Sequence, residues 1–180
     1  MRDELHRGLG APRLVPCTIE SVRVHVLTGQ HVVLLQPRDS DKLLPIWIGP
    51  DQAHSIATRL AGIASERPLT HDLMIEMLSR LGVEITRVVV KDLVESGDGQ
   101  GVFHGSIFLQ TSGNEIEIDS RASDAIALAI RSEARILVAE NVLLRSAIAA
   151  EGAKDGEEDL SVFKEFIQNL PDDLGQSSSG

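Results

Sequence analysis

Apolar and polar residues alternate along the first part of the chain as they do in β-strands. Residues 22–26 alternate valine with arginine and histidine, Thr28–Gln30 forms a polar turn, and residues 31–36 have the sequence HVVLLQ. A period of two residues predicts a half-buried strand, and two such runs around a short turn predict a β-hairpin. The apolar run LLPIWIG at residues 43–49 predicts a third strand.

Two segments that follow have apolar residues at the three- and four-residue spacing of helices. Pro50 suits the first turn of a helix that continues from Asp51 to Ile63. Thr70 can cap a second helix that ends at Gly82. We expect this second helix to bury Leu73, Met74, Met77, Leu78 and Leu81.

The second half of the chain repeats this order of predicted elements. Strand patterns at residues 83–94, 102–110 and 115–119 lead into the Ala-rich segment 122–134, and another strand is predicted at 134–140. When the chain is aligned with itself at an offset of 70 residues, Gly-Gln and Ile-Ala pairs coincide. We therefore predict an α+β fold in which a mostly antiparallel sheet packs against helices, with an internal duplication of a strand-strand-strand-helix unit.

Composition divides the chain into a folded domain and flanking segments. We predict an N-terminal extension at 1–16, the domain at 17–150, an acidic linker at 151–158, an amphipathic helix at 159–170 and a disordered tail at 171–180. Because that helix has apolar residues on one face, we expect it to dock on the domain, on a neighbouring subunit or on a partner. An antiparallel sheet with free edges favours a homodimer.

The net charge limits how the chain can bind a polyanion. The charge is −10 over 180 residues, of which −6 falls in residues 151–180, −5 in residues 17–150 and +1 in residues 1–16. Nucleic-acid binding usually depends on a basic surface. A nucleic-acid site in this chain must therefore be local, built from a few arginines or a bound cation.

Cysteine content and hydropathy bear on the cellular compartment. Cys17 is the lone cysteine, which excludes an internal disulfide. The first 20 residues contain no apolar segment like that of a signal peptide, and no apolar run is long enough to cross a membrane. We therefore expect a cytoplasmic protein.

No standard catalytic motif is present, but polar residues gather in three clusters at predicted strand ends and helix starts. The first cluster covers residues 43–57 and contains Trp47, the single tryptophan of a chain without tyrosine. Trp47 can stack a nucleobase. It can also pack under a helix or in a dimer interface, which is the commoner fate of a large aromatic side chain between core residues.

The second cluster, residues 66–73, places His71 and Asp72 in the first turn of a predicted helix. An imidazole beside a carboxylate can transfer protons or bind a divalent ion, and Arg67 can hold a phosphate. The alternative is structural, because an acid in the first turn favours the helix dipole and such histidines are often surface residues.

The third cluster, residues 118–131, contains Asp119, Arg121 and Asp124. Two carboxylates and an arginine can hold Mg²⁺ and a phosphate for phosphodiester cleavage. Equally, a serine of this cluster caps the helix and Arg121 pairs with a carboxylate for purely structural reasons.

These clusters resemble the motifs of the bifunctional nuclease domain family. Residues 44–49 are LPIWIG, residues 67–73 are RPLTHDL and residues 118–129 are IDSRASDAIALA. The family has LPIWIG, RPLTHDL and IDARPSDAIALA in the same order. The resemblance covers residues 17–150 and implies an α+β fold and nuclease activity on both RNA and DNA.

The chain departs from the family pattern just after the first motif and within the third motif. Gln52 stands where the family has glutamate, and Asp51 stands where it has an aromatic or apolar residue. In the third motif, Ser120 and Ala122 replace the alanine and proline of the family, which alters the entry into the helix.

Our leading hypothesis is a nuclease that uses a divalent ion, Mg²⁺ or Mn²⁺, held by the carboxylates of Asp72, Asp119 and Asp124. In this hypothesis His71 acts as general acid or base, and Arg67 and Arg121 hold the scissile phosphate. The competing hypothesis is a non-catalytic regulatory module that binds a small anionic ligand or a protein.

Overall fold

Strands and helices alternate along the chain, and a computed structural model describes residues 12–25, 28–95, 101–149 and 157–158. The strands are β1 (Leu14–His25), β2 (His31–Pro37), β3 (Lys42–Ile48), β4 (Glu84–Glu95), β5 (Gly101–Gln110), β6 (Glu115–Arg121), β7 (Arg135–Ala139), β8 (Ile148–Ala149) and β9 (Glu157–Glu158). The helices are α1 (Pro50–Leu60), α2 (Thr70–Arg80), α3 (Ala122–Ser132) and α4 (Glu140–Ser146).

The strands form a sheet in the order β6-β5-β4-β7-β1-β2-β3-β8, and β9 pairs with β1. Neighbouring strands are antiparallel except for β4 and β7, which are parallel. The predicted α+β fold with a mostly antiparallel sheet is therefore confirmed. The units β1-β2-β3-α1 and β4-β5-β6-α3 lie on opposite sides of β7. Their common origin by duplication stays a prediction.

The main core lies between the sheet and the helices α1 and α3. Alternate side chains of the strands point into it, as the period-two pattern predicts. The Ala-rich α3 contributes more buried residues than the other helices, and its small side chains allow it to pack closely against α1, α2 and the sheet. Strand residues of this core include Val22, Val33, Leu35, Leu44, Ile46, Val88, Val90, Ile107 and Val138.

The start of α3 lies directly against the backbone of β5. A Cβ atom on Gly105 would lie 3.1 Å from the Cα of Ala122 and 3.2 Å from the carbonyl oxygen of Arg121. Gly105 thus permits a close approach that a larger residue would prevent. This approach fixes the position from which Arg121 and Asp124 extend.

Helix α2 presents a different face to the protein from the one that its spacing predicts. Leu73, Met74, Met77 and Leu81 are exposed, whereas Ile75 and Leu78 pack on the core and His71 is its buried residue. The expectation that those four side chains are buried is therefore wrong. Contacts of the first turn with α1 and α3 set the rotation of the helix.

The helix caps also differ from the sequence expectation. The N-cap of α2 is Leu69 instead of Thr70, and its backbone N–H donates to Asp72 Oδ2 at 2.9 Å. The N-cap of α3 is Arg121, so neither serine of the third cluster caps it. In both helices an aspartate in the first turn complements the helix dipole.

The described chain extends beyond the predicted domain boundaries. Strand β1 begins at Leu14, within the predicted N-terminal extension, and β9 lies within the predicted acidic linker. The amphipathic helix predicted at 159–170 and the tail at 171–180 lie outside the described residues. Among the described residues, no helix has the length and apolar character needed to span a membrane.

Substitution of Gly105 by alanine is expected to destabilise the fold. The added methyl group meets backbone atoms of α3, which cannot rotate away, so we expect Gly105→Ala to lower the free energy of unfolding by about 1–3 kcal/mol. Urea denaturation followed by circular dichroism measures this change. As a control, Gly113→Ala adds a methyl group that meets no atom within 4 Å. Equal stability of the Gly105→Ala variant and the parent chain would contradict the close approach.

Candidate active site

The three polar clusters meet at one cavity of about 650 Å³. The first turns of α1 and α2 line it on one side, and the end of β6 with the start of α3 lines it on the other. Its polar lining residues are Asp51, Gln52, His54, Ser55, Thr70, His71, Asp119, Ser120, Arg121 and Asp124. Residues that are far apart in sequence thus converge as the motif pattern led us to expect.

His71 occupies the centre of a chain of three polar side chains. Its Nδ1 lies 2.9 Å from Ser55 Oγ, and its Nε2 lies 3.4 Å from Asp124 Oδ1. Ser55 and His71 are buried, and about a quarter of the Asp124 side chain is exposed to the cavity. Each of α1, α2 and α3 supplies one member of the chain.

The partners of His71 define its protonation. A carboxylate accepts hydrogen bonds, so Nε2 carries the proton of the neutral imidazole and faces Asp124. Nδ1 then accepts a hydrogen bond from the Ser55 hydroxyl. Burial lowers the pKa of His71 below its ordinary value, against the opposing effect of the Asp124 carboxylate. His71 is therefore neutral at pH 7 and able to accept a proton.

Arg121 covers the outer side of Asp124. Its Nε donates to Asp124 Oδ2 at 2.6 Å and its Nη2 donates to Asp124 Oδ1 at 3.0 Å. These hydrogen bonds to Asp124 raise the pKa of Arg121 above its ordinary value. Since 65% of the Arg121 side chain is exposed, its remaining N–H groups can bind an anion in the cavity.

Asp72 does not take part in the series of contacts from Ser55 through His71 to Asp124; it binds Arg131 instead. Arg131 Nε donates to Asp72 Oδ1 at 2.6 Å, and the same guanidinium donates to the backbone oxygens of Ala127 and Ser55 at 2.9 and 3.1 Å. Burial raises the pKa of Asp72, but the hydrogen bonds from Arg131 and from Leu69 outweigh that effect, and the pKa lies below its ordinary value. The contacts of Asp72 are therefore those of a residue that joins helices.

Asp119 and Arg67, the two other predicted site residues, differ in their positions. Asp119 lines the cavity, but its carboxylate accepts a hydrogen bond from Lys91 Nζ at 2.9 Å, which lowers its pKa. Arg67 is exposed in the turn before α2 and does not line the cavity. The structure thus brings together His71, Asp119, Arg121 and Asp124.

The carboxylates predicted to bind a metal are each engaged with a basic side chain. Asp72 binds Arg131, Asp119 binds Lys91, and Asp124 binds Arg121 beside His71. In the described ranges, no three His, Cys, Asp or Glu side chains are close enough together to hold a metal ion. The arrangement therefore does not fit a divalent ion on these three aspartates without a change of partners.

Three further residues of the site are not predicted from the sequence: Ser55, Lys91 and Arg131. Arg131 follows Asp124 by seven residues, which is two helical turns and the same face of α3, and this spacing was an available signal. Ser55 lies within the first cluster, residues 43–57, one helical turn after Asp51. Lys91 carries no such signal, because its contact with Asp119 reaches from β4 across the intervening β5 to β6.

The model of the bifunctional nuclease domain matches residues 33–151, which include all three motifs and the residues of the cavity. The chain belongs to the bifunctional nuclease domain family. Among its relatives, the uncharacterized protein Rv1829 of Mycobacterium tuberculosis is 32% identical over 164 residues, covering 87% of this chain and 95% of that protein. Bifunctional nuclease 1 of Oryza sativa subsp. japonica and a bifunctional nuclease of Oryza minuta are each 28% identical over 121 residues. Those matches cover 65% of this chain and 35% of each rice protein.

Loss of the Asp124 charge is expected to lower the pKa of His71 further, because this carboxylate stabilises the imidazolium. NMR titration of the imidazole C–H signals in the parent chain and in Asp124→Asn measures the change. Asp119→Asn is the matched control, since its carboxylate pairs with Lys91, and it should leave the pKa of His71 unchanged. A His71 pKa above about 6.5 in the parent chain would contradict the assigned environment.

The buried His71 also makes stability depend on pH. Its pKa is lower in the folded chain than in the unfolded chain, so protonation favours unfolding and stability falls as the pH falls below about 6.5. His71→Gln is expected to reduce this dependence, measured by urea denaturation at several pH values. His31, whose pKa is also lowered by burial, should retain part of it. An unchanged slope in His71→Gln would exclude His71 as its source.

Proposed function

We propose that this bifunctional nuclease domain protein hydrolyses phosphodiester bonds in RNA and DNA. One observation carries the proposal: the family motifs converge on a cavity in which a buried, neutral histidine lies between a serine and a carboxylate, beside an exposed arginine. Two rice relatives are named bifunctional nucleases, which supports a nuclease activity.

Arg121 holds the scissile phosphate in this mechanism. Its two hydrogen bonds to Asp124 fix the plane of the guanidinium and leave its other N–H groups for phosphate oxygens. The N-cap residues of α1 and α3, Gly49 and Arg121, make no side-chain cap, so backbone N–H groups of both first turns add to the favourable field for an anion. The acidic residues of the same two first turns, Asp51 and Asp124, oppose this field, so Arg121 is the main group that attracts an anion into the acidic domain.

His71 acts as the general base through Ser55. The Ser55 hydroxyl lines the cavity and donates to Nδ1, so it can pass its proton to His71 while it accepts one from a water molecule in the cavity. That water then attacks the phosphorus atom, and the leaving alkoxide departs with a proton from solvent. Asp124 stabilises the imidazolium at Nε2, which is the role that a carboxylate has in serine hydrolases.

Asp72 has a positioning role in this mechanism. Through Arg131 it holds the start of α2 against α1 and α3, and so keeps His71 between its two partners. No step passes through a divalent ion, because the aspartates do not fit one in their present pairing. Dependence on Mg²⁺ or Mn²⁺ stays a prediction, as does assembly as a homodimer.

Cleavage of end-labelled single-stranded RNA and DNA by the purified full chain tests the proposal. We expect His71→Gln and Asp124→Asn each to lower the rate by at least about 100-fold, as loss of general-base catalysis does. The rate of the parent chain should also fall as the pH falls below the pKa of His71. Parallel reactions with Mg²⁺, with Mn²⁺ and with EDTA test whether a metal is required.

A substitution on the exposed side of α2 provides the control. Glu76 pairs with Arg80 in solvent and lies outside the cavity, so Glu76→Gln should cleave at the parental rate. If His71→Gln and Asp124→Asn also retain the parental rate, the cleavage comes from a contaminant or from another site, and the assignment fails.

A further inference from the structure

A second cavity of about 570 Å³ adjoins the candidate active site. It lies between the turn that precedes β2, the end of β3, the start of β5 and the first turn of α3. Gln52 and Arg121 line both cavities. A ligand bound to Arg121 can therefore extend from the first cavity into the second.

Trp47 lines the second cavity with half of its side chain in solvent. It is 52% exposed, whereas its neighbour Ile46 is 2% exposed and belongs to the core. Trp47 is thus not packed under a helix in the described structure. A large aromatic surface left open at the wall of a cavity suits a planar ligand, since ring systems gain free energy by offset stacking.

The other polar groups of this cavity are mostly uncharged. Among the described lining residues, Arg121 is the one with a permanent charge, and Gln30, His31 and Gln52 offer amide and imidazole groups. An amide can hydrogen-bond the edge of a nucleobase, and an aromatic ring can stack on its face. This combination differs from that of the first cavity, whose described lining residues include no aromatic ring of the size of tryptophan and four charged side chains, Asp51, Asp119, Arg121 and Asp124.

We infer that the second cavity binds a nucleobase of the substrate, stacked on Trp47, while Arg121 holds the adjoining phosphate. The inference rests on the proposed nuclease function and specifies its substrate class. A base in a duplex has both faces covered by its neighbours, so only an unpaired strand can present one to Trp47. The substrate is therefore single-stranded RNA or DNA.

Intrinsic fluorescence isolates this site, because Trp47 is the single tryptophan and the chain has no tyrosine. We expect adenosine 5′-monophosphate to quench the emission of the full chain in a saturable way, with excitation at the red edge of the indole band. Ribose 5-phosphate carries the same phosphate without a base and should not quench. Free N-acetyltryptophanamide, titrated in parallel, corrects for collisional quenching and absorption.

Variants of Trp47 test the same contact by the cleavage of a short single-stranded oligonucleotide. Trp47→Leu should raise KM by about tenfold or more with little change in kcat, and Trp47→Phe should restore part of the loss because it keeps a ring. Circular dichroism verifies that both variants fold. An unchanged KM in Trp47→Leu would overturn the inference.

The fluorescence result separates this inference from the proposed function. Saturable quenching by the nucleotide without any cleavage would support the base site and refute the nuclease, whereas cleavage without quenching would support the nuclease and refute the base site. Equal quenching by ribose 5-phosphate would also overturn the base site. A dimer in sedimentation that Trp47→Leu dissociates would also overturn it, because Trp47 would then be an interface residue; the emission of the parent chain should in that case shift with protein concentration.

Discussion

The buried guanidinium of Arg131 is the contact on which the geometry of the site depends. It binds the carboxylate of Asp72 on α2, a backbone oxygen of α1 and a backbone oxygen of its own helix, α3. A buried cation is tolerated only when its donors are satisfied, so these three partners hold one another in place. Ser55, His71 and Asp124 can form a chain because the helices that carry them meet around this one group.

Electrostatic pairing explains how a chain with net charge −10 can present a site for an anion. The three aspartates that the sequence predicts to bind a metal each have their own cation: Arg131 for Asp72, Lys91 for Asp119 and Arg121 for Asp124. These three negative charges are therefore offset, although Asp51 also lines the cavity and the domain is acidic. The exposed part of Arg121 is then the positive group that a ligand in the cavity meets.

The sequence was sufficient for the strands and the α+β class, because alternation is a local property. The convergence of the motifs followed from their resemblance to those of one family. It was insufficient for the rotation of α2 and for the partners of its first turn. His71 and Ser55 are 16 residues apart, and Asp72 and Arg131 are 59 apart. Spacing within α2 favours its methionines and leucines as the buried face, but these distant polar contacts determine which side turns inward. Long-range pairing of this kind has no periodic signature.

Strand β7 determines when the two halves of the sheet can join during synthesis. It pairs with β1, where Leu14 faces Ala139, and with β4, where Arg87 faces Arg135. Both partners leave the ribosome well before β7, so one edge of each stays unpaired until residues 135–139 emerge. Contacts between such distant segments form slowly, and open strand edges promote association between chains. A nascent chain that stops short of β7 therefore exposes one open edge on β1 and one on β4, which favours association between chains.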